Sequence, residues 1–249
     1  MGFLFIGLLL ASAIGAVLAT RLSFRGWGPP TFAQVSAVTL TPLSVVFGFT
    51  VAFLAAQVWG SWDRAVGFVG QEASALQESV VLAEALDPAL GRALAADIAV
   101  YAAAAPAEWR AMEARTETLR APPAGLLQAV HRVATYSRPD AAAATDRILA
   151  ALDTALDARR HRILISETGA LGLGRWLAAA VLAMCLQLTI AMVHAHDRRA
   201  QLLTVAVFTV AAVTALAMVA AFDQPFRATP AGVQPHALLE LAAPPRALP

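Results

Sequence analysis

The chain of 249 residues contains no lysine, and all 18 of its basic residues are arginine. Only 14% of its residues are charged and 59% are hydrophobic, whereas about 25% of residues are charged in soluble globular domains. This composition excludes an ordinary soluble domain and indicates an integral membrane protein. The formal net charge of +1 is too small for the basic surface that binds nucleic acid. Arginine suits anionic partners better than lysine does, but codon usage in a GC-rich genome explains this bias more simply.

Cysteine is almost absent, since Cys185 is the single one and lies in an apolar run. One thiol excludes an intrachain disulfide and a cysteine-based metal cluster. His194, His196 and Asp197 are close together in sequence and have side chains that bind zinc. Such a group in a loop is more typical of polar residues at a membrane interface, so we predict no metal site and no cofactor. Nucleophile and HExxH zinc motifs are also missing, so we predict that the protein is not an enzyme.

Four apolar segments are each close to the roughly 20 residues that a membrane-spanning helix needs. They cover about residues 2–19, 35–59, 176–193 and 201–222. The first has no basic residue before it, unlike a signal peptide, so we predict that it is a retained helix. Beyond the second segment, Trp59, Trp62, Val66 and Val69 keep helical spacing, which predicts that this helix continues out of the membrane.

The charged residues are concentrated between the second and third apolar segments. This stretch is rich in Ala, Leu, Glu and Arg, which favour helices, and it lacks the alternating pattern of strands. Prolines divide it into several helices, at Pro88, Pro106, Pro122, Pro123 and Pro139. We therefore predict an all-α membrane protein with four transmembrane helices. Its predicted parts are transmembrane helices 1 and 2 (1–62), a helical extramembrane domain (63–174), transmembrane helices 3 and 4 (175–222) and a Pro-rich C-terminal tail (223–249).

Two patterns in the helical domain predict which side chains are buried and which are solvated. One is an apolar stripe that must pack against another surface, and it consists of Ile148, Leu152, Leu156 and Ile163. The other is a series of three carboxylates, Glu72, Glu78 and Glu84. Their six-residue spacing distributes them around a helix and predicts a solvated surface, with an acidic ring in an oligomer as the alternative. The apolar tail could lie along a protein surface or be partly disordered, with a short helix from His236 to Ala243.

The second apolar segment carries the most specific motif of the chain. It begins Pro-Leu-Ser at Pro42, continues with Gly-Phe at Gly48, and reaches Trp59 at the expected membrane boundary. This pattern resembles the pore-lining second helix of the bestrophins. A second likeness follows the fourth span, where Asp223, Pro225 and Phe226 resemble the Asn-Pro-Phe of animal bestrophins. The four spans, with a helical region between the second and third, also agree with that family.

The resemblance implies an anion channel assembled from five subunits, with the second helix of each lining the pore. The apolar neck positions of the family, carried over by register, are Thr41, Val45 and Phe49, and Phe53 continues their face. Ser44 and Thr50 are predicted to add small polar groups to the pore. Animal members bind calcium after Pro-Phe through an acidic run. Residues 227–230 have no carboxylate, and calcium needs about six to eight oxygen ligands, so we predict no calcium site.

The implied partners are membrane lipid, further copies of the chain and small anions such as chloride. Arg159, Arg160 and Arg162 are predicted either to attract anions or to flank the membrane near anionic headgroups. The likeness to bacterial members implies a multi-pass protein of the bacterial inner (plasma) membrane, with its helical domain and both termini in the cytoplasm. Arginines of the short loops favour the opposite orientation, whereas total juxtamembrane arginine favours this one.

A second function class is compatible with the same sequence. It is a non-conducting membrane scaffold or sensor subunit whose helical domain binds a protein partner. The oligomeric state separates the two functions, because a pore of the family type needs several subunits whereas a monomer or dimer favours the scaffold.

Overall fold

A computed structural model describes residues 2–22, 37–116, 124–138, 141–169 and 171–242. Across these ranges all regular secondary structure is helical and no strand occurs, which confirms the prediction of an all-α fold. The helices are α1 (Gly2–Leu22), a short 3₁₀ helix (Ala37–Thr39), α2 (Leu40–Leu86), α3 (Pro88–Ala103), α4 (Ala105–Ala114), α5 (Ala124–Ala134), α6 (Ala142–Thr168), α7 (Leu173–Val193), α8 (Arg198–Phe222) and α9 (His236–Ala242). The predicted breaks at Pro122, Pro123 and Pro139, and the end of the tail from Ala243, lie outside the described residues.

Helix α2 continues far beyond its apolar part, as predicted, and contains 47 residues. A helix of this length extends about 70 Å. Pro42 lies in its first turn, where a missing backbone N–H is tolerated. The helix ends just before Asp87, which caps α3 by accepting a hydrogen bond from the backbone N–H of Ala89 at 2.8 Å. Pro88 then occupies the first turn of α3, where its fixed φ suits a helix start.

Three of the described helices are long and apolar enough to cross a membrane. They lie within Ala37–Leu86, Leu173–Val193 and Arg198–Phe222. Helix α1 contacts both α7 and α8, and Ala16, Ala191 and Val205 are buried together where these three helices meet. That α1 is a fourth span stays a prediction.

The chain forms two compact units. Unit 1 comprises Met1–Gly60 and Ala170–Asp223, and unit 2 comprises Ser61–Gly169 and Gln224–Pro249. In unit 1 the main apolar core joins α2, α7 and α8. Its largest members include Phe47, Leu54, Trp176 and Leu216, and Phe47 meets Phe208 edge to face with ring centroids 5.6 Å apart.

A polar connection also joins three helices of unit 1. Ser12 Oγ of α1 donates a hydrogen bond to Gln187 Oε1 of α7. Gln187 Nε2 donates to Thr209 Oγ1 of α8 at 3.0 Å, and Thr209 in turn donates to the Val205 carbonyl at 2.6 Å. Gln187 is fully buried, and such side-chain hydrogen bonds between helices are a common source of association in membranes.

The core of unit 2 is formed by α3, α4, α5, α6, α9 and the later part of α2. Ile148, Leu152 and Ile163 are buried there and Leu156 packs against them, so the predicted apolar stripe of α6 does pack within the chain. The tail contributes to the same core through Phe226, Val233 and Leu238. The short helix predicted near residue 236 is α9.

Candidate functional site

The four predicted neck and pore positions form one face of α2, here called the outward stripe: Thr41, Val45, Phe49 and Phe53. All four are exposed, and Phe49 and Phe53 keep 73% and 61% of their surface accessible. Successive residues of a helix are about 100° apart. The stripe is therefore centred opposite Phe47, Leu54 and Val58, which are buried in the core of unit 1. Helix α2 thus directs a coherent apolar face away from its own unit.

The two hydroxyl side chains predicted for the pore are held by their own helix. Ser44 Oγ donates to the Leu40 carbonyl at 2.6 Å, and Thr50 Oγ1 donates to the Val46 carbonyl at 2.8 Å. In this arrangement each hydroxyl offers lone pairs outward and no proton. Each would have to exchange its backbone partner before it could donate a hydrogen bond to an anion.

The remaining motif residues of α2 are also exposed. Pro42 and Gly48 lie on the accessible side of the helix, and a Cβ atom added at Gly48 would meet no atom within 4 Å. Trp59 retains 44% of its surface. Packing inside its own unit therefore does not require glycine at position 48. The small residue would instead allow close approach of a neighbouring subunit or leave space in a pore.

The motif after α8 makes a hydrogen bond within each of the two units. In unit 1 the Asp223 carboxylate accepts a hydrogen bond from the backbone N–H of Leu171 at 2.9 Å. In unit 2 the Pro225 carbonyl accepts from the backbone N–H of Val233 at 2.7 Å. Phe226 is buried beside Trp109, with ring centroids 5.7 Å apart in an edge-to-face arrangement. These three residues have structural roles within each unit.

Unit 2 contains a buried charge cluster, defined by Glu72, Tyr101, Glu108, Arg159 and Arg162. The guanidinium of Arg162 donates to both carboxylate oxygens of Glu72, at 2.9 and 3.1 Å, and to Glu108 at 3.0 Å. Arg162 and Glu72 are both fully buried. The expectation that Glu72 lies on a solvated surface is therefore wrong. Because six-residue spacing places the three carboxylates on different sides of α2, Glu72 lies on the buried side while Glu78 and Glu84 are exposed.

The cluster shifts the pKa values of Arg162 and Tyr101. Burial by itself would lower the pKa of Arg162, but Glu72 and Glu108 outweigh burial and hold that pKa above its ordinary value. Burial and the neighbouring Glu72 carboxylate raise the pKa of Tyr101 well above its ordinary value, and the Tyr101 hydroxyl donates to Glu72. Trp109 covers the guanidinium of Arg162, whose Cζ lies 4.3 Å from the ring centroid.

The three arginines predicted to attract anions have different environments. Arg159 is buried and pairs with Glu108 at 2.5 Å, and Arg162 is the centre of the charge cluster. Arg160 is exposed and pairs with Asp157 at 2.8 Å on the same helix. The positive charges of Arg159 and Arg162 are thus matched by internal carboxylates, and of the three only Arg160 presents its guanidinium at the surface of unit 2.

The histidine-rich loop before α8 is organised by helix capping. Asp197 accepts hydrogen bonds from the backbone N–H groups of Arg199 and Ala200, at 2.8 and 3.2 Å. His194 Nδ1 lies 3.1 Å from the Ile190 carbonyl. In the described part of the chain, no three His, Cys, Asp or Glu side chains come together as metal ligands.

Sequence reasoning missed the charge cluster and the polar connection around Gln187. Glu72 and Arg162 are 90 residues apart, so no local spacing marks them as partners. A buried Gln in an apolar helix is a signal that could have been used, because polar side chains within membrane segments usually find partners on neighbouring helices.

Comparisons with known proteins agree with this arrangement of helices. A family model described as the bestrophin-like domain matches residues 6–238. Two crystal structures of a bacterial bestrophin homologue from Klebsiella pneumoniae, one of a tyrosine-to-alanine variant, have a TM-score of 0.71 with 13% and 12% identity. Each match covers 96% of this chain and 95% of the other. A leucine-to-threonine variant of the same homologue has a TM-score of 0.70 and 12% sequence identity, and the match covers 97% of this chain and 96% of the other. A comparison with curated proteins gave no match.

Proposed function

This chain belongs to the bestrophin-like family, and from that premise we propose that it is one subunit of an oligomeric anion channel lined by α2. Five subunits surround the axis, with the outward stripe of each directed toward the conduit. The observation that supports this most is the placement of that stripe. This exposed face of α2 lies opposite the core of unit 1, so it can contact a conduit, a neighbouring subunit or lipid.

The chemistry of the stripe fits a hydrophobic constriction. Rings of Phe49 and Phe53 would surround the axis at successive turns, and apolar rings gate channels by dewetting. Phenylalanine edges carry partial positive charge, so an edge turned inward favours a passing anion. Thr41 and Val45 have smaller side chains and would leave a wider entrance beside this constriction.

The proposal extends to the membrane and to the ions. The protein is a membrane protein by family and by its apolar helices, and we place it in the bacterial inner membrane with unit 2 in the cytoplasm. Helix α1 is its fourth span, and chloride is a representative permeating ion. Of the three predicted arginines, Arg160 is the exposed one, and it attracts anions or lipid headgroups.

Chloride flux through purified protein in liposomes tests this function. We expect a chloride conductance in the wild type, and a larger one in Phe49→Ala because the constriction becomes wider and wetter. Leu203→Ala is the matched control, since Leu203 is an apolar side chain that is 66% exposed on α8 rather than on the proposed pore helix. Liposomes that remain tight to chloride at every voltage and pH would instead favour the non-conducting scaffold or sensor.

A further inference from the structure

The outward side of α2 changes its chemistry where the apolar part of the helix ends. In unit 2 the buried side of α2 is marked by Ala65, Val69 and Leu76. Asp63 projects about 160° from Ala65 when successive residues are about 100° apart. Its side chain is exposed, and among the described residues no hydrogen bond or ion pair involves it. Asp63 is thus a solvated carboxylate opposite the core of unit 2.

Helix register relates Asp63 to the outward stripe. The two positions Val45 and Asp63 are separated by five turns of about 3.6 residues, or ~27 Å along the axis. They therefore share the same side of one continuous helix. Arg64 is the single arginine of α2, and it projects about 100° away from Asp63. The next charged residue near this side is Glu78, another exposed carboxylate.

We propose that Asp63 determines the charge selectivity of the conduit. This inference rests on the proposed function, in which α2 lines the pore. One Asp63 from each subunit forms a ring of carboxylates about 15 Å beyond Phe53 along the helix axis. Rings of Asp or Glu side chains attract cations and repel anions in channels. The Asp63 ring therefore limits anion permeation, and the relative permeability of chloride is lower than the aromatic constriction alone would give.

The charge balance of the neighbouring residues supports this role. Arg159 and Arg162 are buried and pair with Glu72 and Glu108, so their positive charges are matched inside unit 2. In the described part of the chain no arginine pairs with Asp63. The carboxylate of Asp63 is therefore not held in an ion pair, and the nearest exposed cation on α2 is Arg64, which projects about 100° away from it.

Reversal potentials under a KCl gradient test the proposal in planar bilayers. We expect Asp63→Asn to raise the permeability ratio of chloride to potassium by about threefold or more, and Asp63→Arg to raise it further. The difference from the wild type should shrink from 0.1 M to 1 M salt, because the Debye length falls from about 10 Å to about 3 Å. Asp153→Asn is the matched control, since Asp153 is an exposed carboxylate on α6 and should leave the ratio unchanged.

A thiol substitution tests the same position on an already folded channel. In the double variant Cys185→Ser, Asp63→Cys, no other cysteine reacts. Compared with the unreacted variant, a positively charged thiol reagent should raise the permeability ratio of chloride to potassium. A negatively charged reagent should lower that ratio. A conducting channel whose ratio ignores the charge at residue 63 overturns this inference and leaves the proposed function standing. A wild type that conducts no ion overturns both.

Discussion

Arg162 illustrates how much of unit 2 depends on a single side chain. Its guanidinium bonds two carboxylates and lies under Trp109. Removing water from a charged pair is costly, so a buried pair adds little net stability, whereas loss of one partner leaves an unpaired buried charge. The cluster joins side chains of α2, α4 and α6, and the loss of one member should cost more free energy than the intact cluster contributes.

Replacement of this guanidinium should be strongly destabilising. We expect Arg162→Met to lower the free energy of unfolding by about 3–5 kcal/mol, since Glu72 and Glu108 would remain buried without their cation. Thermal unfolding of the purified protein in detergent measures the change. Arg160→Met is the control, because Arg160 is exposed on the same helix and its loss should cost no more than about 0.5 kcal/mol. Equal losses in the two variants would refute this role of Arg162.

At the scale of elements, α3 and α5 approach each other so closely that one position requires glycine. A Cβ atom at Gly125 would lie 2.6 Å from the Asp97 carbonyl oxygen and 2.9 Å from the Tyr101 backbone nitrogen. Both are backbone atoms, which cannot move aside as a side chain can. Arg132 Nε of α5 also donates a hydrogen bond to the Asp97 carboxylate at 2.7 Å. The contact between α3 and α5 therefore combines close backbone packing with an ion pair.

An added methyl group should push these two helices apart. We expect Gly125→Ala to lower the free energy of unfolding by about 1–3 kcal/mol through overpacking. The matched control is Gly174→Ala, because Gly174 is likewise the second residue of its helix and a Cβ there would meet nothing within 4 Å. Denaturant titration followed by circular dichroism compares them. The expectation fails if the two alanines have the same effect.

The helices themselves were predictable because their signals are local. Apolar runs, helix-forming residues and the prolines at 88 and 106 are read within one or two turns. The continuation of α2 beyond the membrane followed from the spacing of Val66 and Val69. Helix partners were not predictable, since the contact of Gly125 with α3 and the pairing of Glu72 with Arg162 join residues far apart in sequence.

At the scale of the whole molecule, the proposed function requires more than one chain. A single subunit has its outward stripe exposed and encloses no conduit by itself in the proposed arrangement. We expect native mass spectrometry in detergent to give about 130 kDa, five times the 26.0 kDa chain, since closed rings are a common form of homo-oligomer. A monomer or dimer at every detergent concentration would contradict the ring and favour the scaffold.

Composition alone indicated a membrane protein, and the α2 motif indicated its family. The pore-lining positions stay predictions, because helix register says which side chains share a face and not what covers that face. The sequence of the tail is compatible with a surface segment and with partial disorder. Its Phe226, Val233 and Leu238 are buried, which hydropathy could not distinguish from contact with lipid.

The burial of these tail residues has a consequence for how the protein is made. Unit 2 is built from two stretches of chain, and α7 and α8 lie between them in sequence. A ribosome must therefore translate both apolar helices before Phe226, Val233 and Leu238 exist. Domains generally fold as units during synthesis, but the core of unit 2 stays incomplete until α7, α8 and the tail have all been translated.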